Sequence, residues 1–247
     1  MVSAAANVEA VRWHDAECGR YTADLPVWRA LAGEVPRPVL DLGCGTGRVA
    51  LALARDGHSI TAVDSDEDLL AALAERAGTL DIELVHGDIR ELSLGARRWP
   101  LVLVPMQTIQ LLGGAEGRGG LFAGAAAHLA PSGELGIAVV TRFHEFCEDD
   151  ERPLPDTLRA DGALYVSSPL AVRSHGGSIA VERDRRVFTM DGPLRPAERD
   201  VIRLDAVDVA TLAAEARRVA LALDRVIEVP ETDDHVANEV VVFRAGP

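Results

Sequence analysis

The amino-acid sequence predicts an α/β fold: a Rossmann-like, doubly wound sheet of seven mostly parallel strands with the last strand antiparallel, plus a small antiparallel β lid. Short apolar runs alternate with helical segments over the first 140 residues, which is typical of a parallel sheet with helices on both faces. The first of these runs ends in glycines at alternate positions. After residue 140, alternating segments joined by glycine-containing turns indicate added antiparallel strands.

Composition bounds the organisation and the partners. A chain of 247 residues, 48% hydrophobic and 26% charged, is long enough for one sizeable core with an elaborated lid. All 25 basic residues are arginine, which excludes lysine chemistry, and the formal charge of -14 argues against a nucleic-acid partner. No apolar run is long enough to span a membrane and the polar start lacks a signal peptide, which predicts a cytoplasmic protein. The three cysteines have no metal-ligand spacing.

The first strand is expected over residues 38–42, and a helix over residues 48–56 follows it. The turn between them carries Gly43, Gly45 and Gly47. Glycines permit positive φ and a close ligand, and the amides at the following helix start favour an anionic group. This pattern predicts a nucleotide-type binding turn.

Two classes of ligand fit this turn. Gly45-x-Gly47-x-x-Ala50, with Asp64 ending the next strand, satisfies the dinucleotide fingerprint, so an NAD(P)-dependent oxidoreductase of Rossmann type is one candidate. S-adenosylmethionine is the other. The acid Asp41, inside the strand end, has no role toward a pyrophosphate but suits the ammonium group of a methionine.

The motif that begins at Asp41 and has glycine at every second position to Gly47 resembles the first motif of class I S-adenosylmethionine-dependent methyltransferases. Over residues 38–140 the resemblance rests on specific motifs. Over the rest of the chain it rests only on the order of helices and strands, which looks like that of glycine N-methyltransferase-like and sugar N-methyltransferase enzymes. It implies that the loop wraps the methionine part and the ribose of the cofactor. The loop residues concerned are Gly43, Cys44, Gly45, Thr46 and Gly47. A non-catalytic S-adenosylmethionine-binding protein is a third candidate, because no general base stands out.

Two further acids end the next two strands. The strand over residues 59–64 ends at Asp64, which the resemblance assigns to both ribose hydroxyls; an N-cap for the helix over residues 66–77 is the alternative. The strand over residues 82–85 leads to Asp88, which the resemblance assigns to the adenine amino group. Carboxyl ends of parallel strands share one edge, so we expect the acids to meet there. Their neighbours expected at the cofactor are Ser65, Leu69, Gly87 and Ile89.

An N-terminal helical cover is predicted for residues 1–37, and the cofactor-binding core for residues 38–140. In similar enzymes a tyrosine of this cover approaches the methionine end, and Tyr21 is the candidate here. The alternative is that the aromatic residues of this segment only pack it onto the core.

The segment after the fourth strand is where the family places the transferring methyl group. Here it reads Val104-Pro105-Met106-Gln107, without the Asn/Asp-Pro-Pro-aromatic pattern of enzymes that act on planar amino groups and without the aspartate of metal-dependent relatives. These departures predict a metal-free enzyme with a small-molecule acceptor. Pro105 and Met106 are expected beside the cofactor, and Gln107 either orients the acceptor or caps the next helix.

The chain then returns to the core sheet. Residues 113–120 are predicted as a flexible link and residues 121–130 as a helix. Residues 129–134 resemble the family's turn into a fifth strand, expected over residues 135–140. Glycine content is the reason for the predicted link.

A β-rich lid is predicted for residues 141–204, and residues 205–247 are expected to complete the core sheet. His144 and Glu145 follow the fifth strand and are the candidate bases; a solvated loop is the alternative. In-line methyl transfer to nitrogen or oxygen depends mainly on holding the acceptor at attack distance. The expected partner is a small molecule, and a homodimer is left open.

Overall fold

The structure, a computed structural model, describes residues 8–33, 37–232 and 235–245. The polar start on which the signal-peptide prediction rests, residues 34–36 of the predicted cover, and the pair Asp233-Asp234 lie outside the described residues. The helices are α1 (Val8–Cys18), α2 (Leu25–Ala32), α3 (Arg48–Arg55), α4 (Glu67–Ala77), α5 (Ala115–His128) and α6 (Val209–Arg217). The strands are β1 (Val39–Leu42), β2 (Ile60–Asp64), β3 (Ile82–His86), β4 (Trp99–Val104), β5 (Leu129–Val139), β6 (Asp156–Ala160), β7 (Ala163–His175), β8 (Ser178–Thr189), β9 (Gly192–Pro193), β10 (Glu198–Asp205), β11 (Leu221–Val229) and β12 (Asn238–Ala245).

The predicted seven-stranded sheet is confirmed, in the order β11-β12-β5-β4-β1-β2-β3. β1 lies between β2 and β4 and is parallel to both, whereas β12 is antiparallel to β5 and to β11. The strand order reverses between β1 and β4, which is the point where open α/β sheets bind their ligands. The carboxyl ends of β1 to β5 therefore lie at one edge of the sheet.

Apolar side chains fill both faces of this sheet. On one face, Phe122 of α5 and Leu212 of α6 pack against the sheet and are fully buried. On the other face, Trp28 of α2, Leu53 of α3 and Leu73 of α4 do the same. Burial on both faces explains the continuous apolar run of β4 and the apolar residues on either side of Asp41 in β1. Within the described residues, no helix is both long and apolar enough to cross a membrane.

The second sheet is antiparallel, in the order β10-β8-β7-β6, with β9 paired to β8. Gly176 and Gly177, both at positive φ, form the predicted turn between β7 and β8. The sequence pattern missed β6, because its residues follow a proline-punctuated polar stretch. The inner face of this sheet packs on α1, where the rings of Trp13 and Tyr165 meet edge to face at 5.1 Å.

The predicted flexible link over residues 113–120 is wrong, because α5 already begins at Ala115. Its glycines serve close packing instead of flexibility: a Cβ on Gly117 would collide with the carbonyl oxygen of Leu112, and a Cβ on Gly120 with that of Arg90. Glycine is therefore the residue that lets this helix approach the neighbouring backbone.

The predicted boundary of the fifth strand also needs correction. β5 begins at Leu129 instead of residue 135, so the strand takes up the end of the predicted helix and the predicted turn. The turn persists as an irregularity inside the strand, where Ser132 has a φ of 62° and the register against β4 shifts. The residues of the turn were predicted correctly as a turn. The strand nevertheless extends back beyond it, because Leu129 pairs with Trp99 of β4.

Candidate functional site

The glycine loop after β1 is enclosed from three sides. Gly43, Gly45 and Gly47 have φ values of 73°, 54° and 90°, which favour glycine. A Cβ on Gly43 would lie 2.5 Å from the methyl carbon of Thr108, and one on Gly45 would lie 2.5 Å from His14 Nε2. A Cβ on Gly47 would collide with Leu73. Side chains are therefore excluded at these three positions, and the loop forms a cradle of glycine backbone.

Asp41, near the end of β1, is a buried carboxylate without a partner. Its side chain belongs to a residue only 1% exposed, and neither carboxylate oxygen has a hydrogen-bond partner in the described structure. Burial raises the pKa of Asp41 to about 7, and the Asp64 carboxylate adds to this rise. The nearby Arg48 guanidinium offsets part of it, as does the Ala50 amide, which lies near the carboxylate without meeting hydrogen-bond geometry. A buried unpaired carboxylate is costly unless a cationic group meets it.

Asp64, the last residue of β2, organises the loop. One carboxylate oxygen accepts from the Gly45 amide at 2.7 Å and the other from the Asp66 amide at 3.0 Å. The N-cap of α4 is Asp66, which accepts from the amides of Asp68 and Leu69. The alternative of Asp64 as the helix cap is therefore wrong. Its carboxylate is held by two amides and keeps further acceptor positions for a ligand.

The neighbours of Asp64 are arranged around the same edge. Ser65 is exposed, and its carbonyl oxygen contacts His86 Nε2 at 3.1 Å. Leu69 is half-buried in the first turn of α4. The Gly87 amide donates to the Asp64 carbonyl at 2.9 Å, which fastens the end of β3 to the end of β2.

Asp88 follows β3 and is half-buried. It caps a short 3-10 helix, Ile89–Glu91, by accepting from the Arg90 amide at 2.8 Å. The Arg90 guanidinium pairs with it at 2.6 Å, and these hydrogen bonds lower the pKa of Asp88. Ile89 is buried. The carboxylate is thus ionised and oriented, and an adenine amino group would share it with Arg90.

The segment after β4 is pressed onto the glycine loop. Met106 has a φ of 56°, a conformation that side chains rarely adopt and that is found at functional sites. Pro105 is buried, and its carbonyl accepts from the Thr108 hydroxyl at 2.8 Å. The side chain of Gln107 is half-buried and does not cap the 3-10 helix Thr108–Leu111 that follows.

Gln110 is a positioning residue that the sequence did not reveal. Its amide nitrogen donates to the carbonyls of Val140 and Asp205 at 3.2 and 2.9 Å, and its amide oxygen accepts from the Val140 amide at 2.9 Å. Asp205 ends β10, so this one buried side chain joins the second sheet to the end of β5. An isolated glutamine in an apolar run carries no recognisable signal of this role.

Tyr21 lies at the same edge of the sheet, beside β5 and β12. Its hydroxyl oxygen accepts a hydrogen bond from the side-chain amide nitrogen of Asn238, the first residue of β12. Its ring stacks on His235 at 4.7 Å, and the Arg48 guanidinium lies 5.0 Å from the ring centroid. Burial raises the pKa of Tyr21. The structure thus groups with Tyr21 two polar residues, His235 and Asn238, for which the sequence indicated no role at the site.

His144 and Glu145 lie on the exposed segment after β5. Phe146, next to them, forms a backbone bridge with Val172 of β7. Neither His144 nor Glu145 forms a hydrogen bond or ion pair with another described residue. Their role as bases stays a prediction.

A groove of about 640 Å³ lies on the outer face of the second sheet. Val166, Leu170, Arg186 and Phe188 are among the residues that line it. None of the strand-end acids or glycine-loop residues takes part in it. It is therefore separate from the candidate site.

Comparisons with known proteins agree on this part of the chain. Residues 39–133 match the family model described as a methyltransferase domain. The cypemycin N-terminal methyltransferase of a Streptomyces species is 38% identical over 97 residues, which span 39% of this chain and 39% of that protein. The aligned stretch is thus well under two thirds of that relative.

Solved structures show the same fold over nearly the whole chain. The CcbJ methyltransferase from Streptomyces caelestis superposes with a TM-score of 0.67 at 24% identity, covering 91% of this chain and 89% of that one. The sugar N-methyltransferase KedS8 from a Streptoalloteichus species superposes with a TM-score of 0.73 at 16% identity, covering 100% of this chain and 96% of that one. At these identities the likeness establishes the fold.

Proposed function

We propose that the protein transfers a methyl group from S-adenosylmethionine to an amine nitrogen of a small molecule, because residues 39–133 match the family model described as a methyltransferase domain. The cofactor supplies a methyl carbon activated by the sulfonium. The protein's own contribution is to bind both molecules, align them in line and keep water away.

The observation that carries the cofactor assignment is the unpaired carboxylate of Asp41. Its two oxygens are buried and lack a partner, and the Asp64 carboxylate raises the pKa of Asp41 further. A dinucleotide would bring a doubly charged pyrophosphate against these two acids. S-adenosylmethionine brings an ammonium and a sulfonium, so its charge complements theirs.

Each strand-end acid is proposed to bind a different part of the cofactor. Asp41 would meet the methionine ammonium, Asp64 the ribose hydroxyls, and Asp88 with Ile89 the adenine. Tyr21 is proposed for the methionine end, because it lies at the same edge as the acids. The loop from Gly43 to Gly47, with Cys44 and Thr46, provides the cradle, and the neighbouring contacts come from Ser65, Leu69, Gly87, Pro105 and Met106.

The acceptor is proposed to enter where the second sheet meets this edge. Asp156 of β6 is partly buried, pairs with Arg183, and lies within electrostatic reach of His235. The His235 imidazole stacks on Tyr21, and the Asp156 carboxylate lies within its electrostatic reach. These groups would draw in an ammonium group, which must lose a proton before its nitrogen attacks. Amine methylation also agrees with the names of the two relatives described as N-terminal and sugar N-methyltransferases.

The remaining roles belong to the same proposal. Residues 141–204 would form the lid that selects the acceptor, and α1 and α2 are the described helices of the cover predicted for residues 1–37. Gln107 would orient the acceptor, and His144 or Glu145 would take its proton. Assembly into a homodimer stays a prediction, which sedimentation velocity tests.

Calorimetric titration with S-adenosylhomocysteine, and with NAD and NADP in parallel, tests the cofactor. We expect micromolar binding of S-adenosylhomocysteine alone. We expect Asp64→Ala to weaken it at least tenfold, because charge-assisted hydrogen bonds contribute roughly 1.5–3 kcal/mol. Binding of a dinucleotide instead would overturn the proposal.

Transfer of a radiolabelled methyl group tests the acceptor class. The panel holds an amino-sugar nucleotide, a peptide with a free N-terminus, and matched compounds in which a hydroxyl replaces the amine. Label on an amine compound and none on its hydroxyl counterpart supports amine methylation. Label on the hydroxyl compounds alone contradicts it.

A further inference from the structure

The imidazole of His14, on α1, lies over the glycine loop. Its Nε2 and Cε1 would be 2.5 and 2.6 Å from a Cβ on Gly45, so the ring edge rests where only a glycine permits it. No sequence motif singles out this histidine, which lies between a tryptophan and an aspartate in an ordinary helical segment. Contact with the glycine loop arises from the packing of α1 across the core.

The hydrogen bonds around Thr46 determine which ring nitrogen of His14 carries the proton. The Thr46 hydroxyl lies 2.9 Å from a carboxylate oxygen of Asp15 and 3.3 Å from His14 Nδ1. An ionised carboxylate only accepts, so the single hydroxyl proton goes to Asp15. His14 Nδ1 must then donate to the hydroxyl oxygen. In the neutral ring, Nε2 is left as a lone-pair acceptor.

The groups around His14 keep its ring neutral. Burial lowers the pKa of His14, and the Arg76 guanidinium lowers it further, against the opposite effects of Asp15, Asp64 and Glu17. Arg76 is itself fixed by its ion pair with Asp15 at 2.5 Å. At neutral pH the imidazole therefore offers an acceptor beside Gly45, and no described protein group donates to Nε2.

A second acceptor, Asp64, flanks the same glycine. Its carboxylate accepts from the Gly45 amide at 2.7 Å. A ligand group that pairs with either of these acceptors must donate a hydrogen bond, so a ligand carboxylate does not suit neutral His14. Asp41 provides the unpaired anion for an ammonium group, and vicinal hydroxyls are the donors that suit Asp64 together with a neutral acceptor.

We propose that His14 Nε2 accepts a hydrogen bond from a ribose hydroxyl of the cofactor, so that α1 supplies a specificity residue opposite Asp64. This inference rests on the proposed function, because it assumes that an adenosine-containing ligand occupies the glycine loop. The helical cover would then make a polar contact with the cofactor, in addition to packing on the core.

Two substitutions separate the two ring nitrogens. His14→Asn keeps a donor near the position of Nδ1 and removes Nε2, whereas His14→Gln places an amide oxygen near the position of Nε2. We expect His14→Asn to weaken S-adenosylhomocysteine binding by about five- to twentyfold, the effect of one buried hydrogen bond, and His14→Gln to restore most of it. His175→Asn, in an exposed residue at the turn between β7 and β8, is the matched control.

Ligand analogues identify the atom that His14 meets. 5′-Methylthioadenosine keeps the ribose and lacks the amino-acid part, so the loss in His14→Asn should be as large for this ligand as for S-adenosylhomocysteine. The wild-type protein should bind deoxyribose analogues of S-adenosylhomocysteine more weakly, with one of the 2′ and 3′ positions sensitive. His14→Asn should show no further loss for that analogue, because the two changes remove the same contact.

Several results would overturn the inference. Unchanged affinity in His14→Asn, with its folding checked by thermal unfolding, would remove His14 from the site. A loss for S-adenosylhomocysteine but none for 5′-methylthioadenosine would move the contact to the amino-acid part. Failure of the wild-type protein to bind either ligand would instead refute the proposed function, which is a distinguishable outcome.

Discussion

Replacement of Asp41 by asparagine removes a buried carboxylate that no described protein group satisfies. We expect the Asp41→Asn variant without ligand to be more stable than the wild-type protein and to bind S-adenosylhomocysteine at least tenfold more weakly. The two effects have one cause: the carboxylate is costly while unpaired, and it is useful when a ligand ammonium meets it. Opposite signs for stability and binding make this substitution informative.

The magnitude follows from the raised pKa of Asp41, about 7 against an ordinary 3.8. Since one pKa unit corresponds to about 1.4 kcal/mol, the ionised carboxylate destabilises the folded protein by up to roughly 4 kcal/mol. The folded state holds its proton to higher pH than the unfolded state. Stability contributed by this proton is therefore complete below pH 3.8 and lost as the pH rises through about 7.

Thermal unfolding between pH 5 and pH 8 is the assay. The stability advantage of Asp41→Asn should grow up to about pH 7 and then level off, reaching on the order of 10 °C in Tm for a chain of this size. Affinity for S-adenosylhomocysteine should rise with pH over the same range in the wild-type protein and stay constant in the variant. Asp149→Asn, at an exposed position, is the control. A Tm difference that is absent or independent of pH would refute the reasoning.

Two further substitutions test the cradle and the lid. Gly45→Ala should weaken S-adenosylhomocysteine binding at least tenfold by displacing His14. Gly78→Ala, with the same φ of 54° and open space around it, should cost only backbone strain, about 1–3 kcal/mol in urea unfolding. If Gly45→Ala and Gly78→Ala weakened binding and stability equally, Gly45 would have no role beyond its turn conformation. Glu17→Gln should lower stability by roughly 2–4 kcal/mol at pH 7, because hydrogen bonds from Arg185 and Ser167 outweigh burial and lower the pKa of Glu17. That loss should shrink as the pH falls below 4.5, and a loss that is constant with pH would contradict an ionic role for Glu17.

The parallel sheet and its strand-end acids were predictable because both follow from local pattern and topology. Apolar runs of strand length separated by helical segments form parallel strands, and parallel strands bring their carboxyl ends to one edge. Asp41, Asp64 and Asp88 therefore reach this edge whatever the details of packing. The glycine loop was equally recognisable, because positive φ leaves a signature in the sequence.

Element boundaries failed where packing overrode local preference. The glycines of α5 look like a flexible link, yet Gly117 and Gly120 permit the helix to approach neighbouring carbonyl oxygens. The turn before residue 135 is present, yet pairing with β4 draws the strand back to Leu129. In both cases the element boundary depends on a contact with another segment of the chain. A pattern of neighbouring residues does not reveal such a contact.

The fold class, the binding edge and the acids that lie there follow from the amino-acid sequence alone. The groups that cover them depend on tertiary packing: His14 on Gly45, Gln110 between Val140 and Asp205, and Tyr21 stacked on His235. The physical reason is that a strand end is set by short-range pattern and chain direction. A cover, by contrast, is formed by side chains tens to hundreds of residues apart, whose meeting depends on how separate elements pack.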